Sequence, residues 1–329
     1  MKRLMEVLTM LVVSALVVAG AAWAAEIEVT AKKIKDAEAP KIDGKVDKVW
    51  DSVRATKVIA SEGPQGKVEI NLKVLYTDKE IFFLFQWPDK TESLSRFFEF
   101  DGKEWKKFKG NEDRLNLAWD IDNTVKDFPK KGCAAVCHKV DKEVELKTNA
   151  ADERVDIWHW KAQRSNPAGY ADDQWLGHEA KKIIYEGREI ARYRGNDAAT
   201  SGAGKGNWDK EAKRPKYTFK EGVSAGPILH EKDAVEIKDF GKFKAGDRLP
   251  LETVTRPAGS RSDVDANGVW KDGRWALEFR RARATEDKQN DVQFVDPGRP
   301  YYFGISVHDN ETDDNHSHTG ETVLKLILK

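Results

Sequence analysis

The two cysteines of this 329-residue chain lie close together and are followed at once by a histidine. The segment is Cys133-Ala-Ala-Val-Cys137-His138. Two thiols at this separation can each add to one vinyl group of a porphyrin, and the adjacent imidazole can bind the iron. The common attachment motif has two residues between the cysteines, whereas this Cys-x-x-x-Cys-His variant has three. It predicts one covalently attached haem c, held through Cys133 and Cys137, with His138 on the iron.

Other chemistry is open to the same three residues. A Cys133–Cys137 disulfide would close a very short loop, so it would remove little entropy from the unfolded chain and would give His138 no role. A zinc site needs four ligands, and two cysteines with one histidine leave one position unfilled. We favour haem attachment because it uses all three residues.

Residues 1–24 have the pattern of an export signal. Lys2 and Arg3 precede an apolar stretch, and Ala22-Trp23-Ala24 matches a small-x-small cleavage site. An uncleaved membrane anchor is the alternative, because the apolar stretch is just long enough to span a bilayer. We expect cleavage, a periplasmic location and no membrane span afterwards. The two thiols then lie in a compartment where thiols oxidise.

The charges of the chain balance, with 56 Lys and Arg against 56 Asp and Glu. Without Lys2, Arg3 and Glu6 of the signal these counts become 54 and 55. A near-neutral chain offers no electrostatic basis for binding nucleic acid. The sequence also lacks a nucleophile elbow, a zinc-protease helix motif and a phosphate-binding glycine loop. These features give no indication of a nucleic-acid-binding protein or a hydrolase, and the haem motif at Cys133–His138 favours an electron-transfer protein or subunit over an enzyme.

Most of the chain predicts β-strands. Apolar and polar residues alternate in several runs, and Asp272-Gly273 marks a two-residue hairpin. The run 81–87 is apolar on both faces, which is typical of a strand in the middle of a sandwich. A short helix is predicted over 172–180. The predicted strands are 68–74, 81–87, 115–119, 158–160, 275–279, 301–307 and 322–329.

These strands predict an all-β, immunoglobulin-like sandwich over residues 25–329. Residues 194–249 differ in composition, since they contain glycine-rich and lysine-rich polar runs with few alternating apolar residues. Too little apolar surface is present there for a separate core. We interpret 194–249 as a long polar insertion in a single haem-binding domain.

The second axial ligand of the iron is left open by the residues alone. Met1, Met5 and Met10 are the only methionines and leave with the signal, so another histidine, a lysine or water must serve. His316 and His318 lie in an acidic loop before the last strand, and calcium is an alternative occupant of that loop through its carboxylates. His159 lies between two tryptophans that core packing can explain. His308, at a strand end, is interpreted as structural.

The chain resembles the haem-binding subunit family of ethylbenzene dehydrogenase, which serves periplasmic molybdenum enzymes such as selenate, chlorate and dimethyl-sulfide oxidoreductases. Four segments carry the resemblance in order along nearly the whole chain: Lys41-Ile-Asp-Gly-Lys-Val-Asp-Lys-Val-Trp50, Val155-Asp-Ile-Trp-His-Trp-Lys161, Ala171-Asp-Asp-Gln-Trp175 and Gly268-Val-Trp-Lys-Asp-Gly-Arg-Trp275 through Arg280.

The resemblance implies a sandwich similar to certain carbohydrate modules. In the family it binds a b-type haem between a methionine before the Trp-x-Trp strand and a lysine before the final strand. This chain departs at both points, because it has the Cys133–His138 segment before that strand and His316 near the lysine position. The departures imply His138 and His316 as the two iron ligands, with His318 and then His159 as alternates. They also imply Trp158 or Trp160 against the porphyrin face.

The implied function is electron transfer by a periplasmic monohaem cytochrome. Its partners would be redox proteins, including the molybdenum and iron–sulfur subunits of an oxidoreductase. The alternative is a haem-free carbohydrate-binding sandwich with a Cys133–Cys137 disulfide, in which an exposed tryptophan such as Trp208 stacks on sugar. A haem enzyme or gas sensor is a third class and requires an open iron position.

Overall fold

The structure, a computed structural model, describes residues 25–140, 143–178, 181–185, 188–192, 194–195, 204–311 and 315–329. In these ranges the regular structure is almost entirely β. The strands of the first half are β1 Glu26–Lys33, β2 Thr56–Ala60, β3 Val68–Tyr76, β4 Glu80–Pro88, β5 Phe97–Phe100, β6 Trp105–Lys107, β7 Arg114–Asp120, β8 Cys137–Val140, β9 Glu143–Leu146, β10 Arg154–Lys161 and β11 Tyr170–Gly177.

The later strands are β12 Lys181–Tyr185, β13 Arg188–Arg192, β14 Arg194–Gly195, β15 Tyr217–Phe219, β16 Leu229–His230, β17 Ala234–Glu236, β18 Arg248–Pro250, β19 Thr253–Val254, β20 Val264–Lys271, β21 Arg274–Ala282, β22 Tyr301–His308, β23 Ser317–His318 and β24 Val323–Leu328. One α-helical turn, α1 Phe128–Lys131, leads into a 3-10 turn at Gly132–Val136. The other 3-10 turns are Asp36–Glu38, Lys48–Ser52, Ile121–Asn123, Asn166–Ala168, Glu231–Asp233 and Ser260–Ser262.

One large sheet forms the body of the protein. Its strand order is β1-β24-β22-β7-β10-β11-β20-β21-β4-β3-β2, and β1 also pairs with β3. This second pairing of β1 closes the sheet on itself, so the sandwich is joined along its edges like a flattened barrel. The predicted all-β sandwich is confirmed. The β1–β3 pairing reduces the exposed sheet edge that invites aggregation.

The core lies inside this closed sheet and is largely aromatic. Trp119 stacks on Phe303 with ring centroids 4.6 Å apart, and Trp158 meets Phe83 edge to face at 5.6 Å. These side chains point inward, as the alternation of apolar and polar residues in the sequence predicts. The strand β4 is apolar on both faces, as predicted, because Phe82 and Leu84 pack outward against Trp50.

The segment predicted as a helix at 172–180 is wrong as far as the structure describes it. Residues up to Gly177 form the strand β11, which pairs with β10 along its length and with β20 at its start. Within the predicted segment the backbone pairs with β10 and, at Gln174 and Trp175, with β14, and this tertiary pairing overrides its weak local preference. The helices among the described residues include none long and apolar enough to cross a bilayer.

The described part of the insertion 194–249 packs onto the small sheet β18-β5-β6. Its aromatic side chains share an apolar cluster with residues of that sheet. The ring of Trp208 stacks on Phe98 at 4.5 Å, so the indole is partly buried and one of its faces is covered. The cluster comprises Phe98, Phe100, Trp105, Trp208, Phe219, Ile237, Phe240, Phe243, Leu249 and Leu251.

Candidate functional site

Four neighbouring strands, β22-β7-β10-β11, carry the candidate site on their outer face. Their inward residues fill the core, so the residues between them point outward. Strand register aligns His318, Ser306, Asn116, His159 and Asp172 side by side. We call these five residues the polar row. Strand alternation thus places His159 on the opposite face from Trp158 and Trp160.

The segment between β7 and β10 folds over this outer face and brings the cysteines to it. Phe128 and Val136 are buried beneath it, together with Val155 and Leu176 of the sheet. This second apolar cluster, outside the barrel, holds the 3-10 turn that carries Cys133. Cys137 follows as the first residue of β8.

Gly304 lets the Cys133 turn approach the sheet. A Cβ atom at position 304 would lie 2.4 Å from the Cβ and 2.9 Å from the Sγ of Cys133. Such distances are not available to real side chains, so β22 needs glycine at this point of contact. The thiol lies 3.6 Å from both the hydroxyl of Thr319 and the carbonyl oxygen of Gly320.

A cavity of about 110 Å³ lies between the turn and the sheet. Both cysteines and four histidines line a surface that is otherwise mostly apolar. The lining residues are Asn116, Leu117, Ala118, Cys133, Val136, Cys137, Leu146, Ile157, His159, Leu176, Gly304, Ile305, Ser306, His308, His316 and His318.

The four histidines follow one another along one side of the cavity. The ring of His308 lies 4.5 Å from that of His316 and 6.5 Å from that of His159. The ring of His318 is 5.2 Å from that of His316. The amide nitrogen of Asn116 is 3.0 Å from Nε2 of His308. Neighbouring imidazoles that face an apolar cavity are suited to binding a soft or borderline metal such as iron.

Burial controls the protonation of this site. Desolvation, followed by the positive charges of Lys161 and Arg114, holds the pKa of His159 well below its ordinary value. His159 is therefore neutral at physiological pH and has a lone pair to offer. Burial also raises the pKa of the Cys133 thiol. The thiolate is the reactive form of cysteine, so a protonated Cys133 reacts slowly with oxidants.

The structure brings together most of the predicted site. Cys133, Cys137, His159, His316 and His318 all line one cavity. The two cysteines are not joined by a disulfide. The side chain of His138 lies outside the described part of the structure, although its backbone belongs to β8.

Two predicted residues do not belong to the site. Trp158 and Trp160 are fully buried in the main core, among Phe83, Trp87 and Trp275. They cannot contact a group in the cavity because the sheet itself stands between. The correction follows from strand alternation, since residues adjacent to His159 must point to the other face.

His308 was missed as a cavity residue. The sequence did contain a signal, because His308 shares the strand face of Ser306 and Gly304, opposite Val307. Its position at the end of an apolar strand suggested a structural role instead. Pairing of β22 with β7 places it next to the polar row.

The acidic loop before the last strand bears on the calcium prediction. Asp309 has a carboxylate oxygen within 4.8 Å of oxygens of Asp89 and Asp113. Desolvation first, and then the nearby Asp113, raise the pKa of Asp89 to about 7. Residues 312–314 of the loop lie outside the described residues. Calcium in this loop stays a prediction.

Replacing Gly304 tests the contact that forms the cavity wall. We expect Gly304→Ala to lower the free energy of unfolding by about 1–3 kcal/mol, because the new methyl group displaces the Cys133 turn. In a Cys137→Ser background, Cys133 should also react faster with a thiol reagent. Gly226→Ala is the matched control, since no atom lies within 4 Å of the point that its new Cβ would occupy. Equal behaviour of the two variants would contradict the contact.

Asp120 provides a pH test of the loop that carries the cysteines. Its Oδ1 accepts a hydrogen bond from the amide of Val125 at 2.9 Å, and desolvation raises the pKa of its carboxyl to about 7. The folded protein therefore favours the protonated acid, and this contribution to stability is lost as pH rises from about 4 through 7.

We expect Asp120→Asn to flatten this dependence by up to about 1.4 kcal/mol per pH unit. Denaturant midpoints of both proteins at about pH 5 and pH 8 provide the measurement. If Asp120→Asn and the wild-type protein show the same pH dependence of stability, the Asp120 carboxyl is ionised in the folded protein and the prediction is wrong.

A search of curated proteins found no match. A carbohydrate-binding module of family 9 from Caldicellulosiruptor kristjanssonii, solved with glucose, aligns with a TM-score of 0.34 and 9% identity over 92% of this chain and 96% of its own. A protein from Bacteroides uniformis inferred to bind carbohydrate aligns at 0.37 and 8% identity over 92% and 99%. The family model described as ethylbenzene dehydrogenase matches residues 24–320.

Proposed function

Because this chain belongs to the ethylbenzene dehydrogenase family, we propose that it is a periplasmic electron-transfer protein with one covalently bound haem c. The observation that carries the proposal is the cavity, in which two cysteines and four histidines surround a mostly apolar space. Thiols for the vinyl groups, imidazoles for the iron and apolar walls for the ring are the parts that such a group needs.

The residues present fit the group. Gly304 has no side chain, so the Cys133 turn can lie close to the sheet. Leu146, Ile157 and Leu176 line the cavity with apolar side chains. Asn116 leaves its buried side-chain oxygen without a hydrogen-bond partner at the cavity edge. When bound, the haem supplies a one-electron redox centre. The apolar walls exclude water, which favours the state of lower net charge and so tunes the potential.

In this proposal His138 and His316 are the residues that would hold the iron. His318 and His159 are the alternates, in that order. His308 stacks on His316 and approaches Asn116 through its Nε2, which suits a supporting residue that fixes the ring of His316. With two histidine ligands the haem would supply electron-transfer chemistry and would not bind a substrate at the iron.

Membership of this family also supports one class of redox partner, a molybdenum oxidoreductase. Its members take part in complexes with molybdenum oxidoreductases, so we propose that this protein passes electrons to or from such an enzyme, through its iron–sulfur subunit or as a free carrier. Export to the periplasm, directed by residues 1–24, is part of the same proposal. The carbohydrate-binding alternative is weakened because Trp208 stacks on Phe98 inside an apolar cluster.

Covalent attachment gives the most direct test. Protein exported from cells that attach haem c should be red and should keep its haem in acidified acetone, with a mass increase of one haem. A Cys133→Ser/Cys137→Ser variant should release its haem under the same treatment, because thioethers can no longer form. Colourless wild-type protein with a Cys133–Cys137 disulfide would overturn the proposal and favour the carbohydrate-binding alternative.

The identity of the second ligand is tested by replacing His316. We expect His316→Ala to convert a low-spin, six-coordinate haem spectrum into a high-spin one and to let the reduced protein bind carbon monoxide. His230→Ala is the control, since His230 lies on β16 and is not among the residues that line the cavity. A low-spin spectrum that persists in His316→Ala would exclude this ligand and direct the same test to His318→Ala.

A further inference from the structure

Two of the cavity histidines lie on a segment that is held by a turn outside the cavity. We call residues 315–321, which include His316 and His318, the histidine segment. The residues Glu62-Gly-Pro-Gln-Gly66, between β2 and β3, form the β2–β3 turn. None of these five residues is among those that line the cavity. The turn can therefore act on the site only through the histidine segment.

The β2–β3 turn is stiff by its own sequence. Pro64 stands at the second position of a β-turn, where the fixed φ of proline is favourable. The amide of Gly66 closes the turn by donating to the carbonyl oxygen of Gly63 at 3.3 Å. Gly63 has a φ of +97° and Gly66 a φ of +83°, which glycine adopts without strain. The turn is therefore a fixed support for the residues that pack on it.

The β2–β3 turn bonds both ends of the loop that leads from β22 to β23. At the start of the loop, the side-chain amide of Gln65 donates to the carbonyl oxygen of Asp309 at 2.7 Å and accepts from its backbone amide at 3.0 Å. At the end of the loop, Glu62 and His318 exchange two backbone hydrogen bonds, of 2.8 and 3.1 Å. One turn thus fixes where this loop leaves the sheet and where it returns.

The turn that carries Cys133 bonds the same histidine segment. Its amide at Ala134 donates to the carbonyl oxygen of Gly320 at 3.2 Å. The next residue, Glu321, donates its amide to Oε1 of Glu62 at 2.9 Å. The histidine segment is therefore bonded to both turns at adjacent residues, which ties its position to that of the cysteines.

The β2–β3 turn lies closest to the histidine segment at Gly63. A Cβ atom at this position would overlap the carbonyl oxygen of His316, so only glycine allows the two backbones to pass. At Gly66, no atom lies within 4 Å of the point that a new Cβ would occupy. The contact of Gly66 with the segment is made by its carbonyl oxygen, which accepts from the hydroxyl of Ser317 at 2.6 Å.

We propose that the β2–β3 turn positions the second iron ligand, through Glu62, Gly63 and Gln65. This inference rests on the proposed function and adds the element that keeps the ligand in place. The ring of His316 lies 4.5 Å from that of His308 and 5.2 Å from that of His318, so a shift of the segment by the width of one ring changes which imidazole occupies a given point. Ligands hold a metal well only when neighbouring residues fix them. The turn thereby determines whether the iron keeps two histidine ligands or has an open position.

The two glycines of the turn supply the test and its control. Gly63→Ala and Gly66→Ala place the same methyl group at a positive φ, so both variants carry the same kind of backbone strain. Only the methyl group at position 63 meets the backbone of His316. In the full-length protein with attached haem, we expect Gly63→Ala to lose most of the low-spin signal and to bind carbon monoxide when reduced. Gly66→Ala should keep the wild-type spectrum.

A second pair of variants covers the case in which the first variant does not fold. Gln65→Ala removes both hydrogen bonds to Asp309 and adds no atom. Its matched control is Gln293→Ala, because Gln293 also links two loop residues and does not line the cavity. It accepts from the amide of Thr285 at 2.9 Å and donates to the carbonyl oxygen of Asp291 at 3.1 Å. We expect carbon monoxide binding in Gln65→Ala and not in the control.

A measurement without haem separates the support of the segment from the chemistry of the iron. In the haem-free full chain with both cysteines replaced by serine, the amide of His318 is bonded to the carbonyl oxygen of Glu62 at 2.8 Å. We expect Gly63→Ala to speed hydrogen exchange of this amide by about 10-fold or more, because its acceptor is displaced. Gly66→Ala should leave the exchange rate close to that of the parent chain.

A low-spin spectrum that persists in both Gly63→Ala and Gln65→Ala would overturn this inference and leave the proposed function intact. This holds even if exchange at His318 becomes faster, since the turn would then support the segment without positioning a ligand. A spectral change in Gly66→Ala as large as that in Gly63→Ala would also overturn it, because loop strain alone would explain both. Wild-type protein that carries no covalent haem would instead remove the proposed function itself.

Discussion

The packing of the Cys133 turn against the outer face of the sheet is the constraint on which the site depends. Without it, β22, β7, β10 and β11 would present histidines to solvent and the cysteines would lie on an unattached loop. A second apolar cluster, formed by Phe128, Val136, Val155 and Leu176, holds the turn in place. Gly304 sets how closely it approaches. Apolar burial outside the barrel thus creates the cavity, as burial inside creates the fold.

The site combines an apolar end with a highly charged one, and the strand register determines where each lies. Successive outward positions of β10 run from Val155 and Ile157 to His159 and Lys161. The same progression on β7 runs from Ala118 through Asn116 to Arg114. Polarity thus rises along both strands in a gradient that runs away from the Cys133 contact. It also explains why His159 is neutral, since burial and neighbouring cations both oppose its protonation.

Much of the fold was predictable because alternating strands carry their pattern in the sequence. The inward sets Leu115-Leu117-Trp119 and Tyr301-Phe303-Ile305 were recognised and are core residues. The same alternation, applied strictly, would have separated Trp158 and Trp160 from His159 and added His308 to the site. The helix predicted at 172–180 failed for a different reason. Its strand conformation depends on pairing with β10 and β14, which local sequence does not reveal.

The sequence by itself determined the family, the all-β fold and the chemical types of the candidate ligands, because those depend on residue identity and local periodicity. Only the tertiary structure decided which histidines share a cavity with the cysteines. His159 and His316 are far apart in the chain and meet through the pairing of β7 with both β10 and β22 and the return of the loop before β24. The buried cations around Glu112 come together in the same way. Such neighbours are set by strand order and register, which are properties of the whole sheet and not of any one segment.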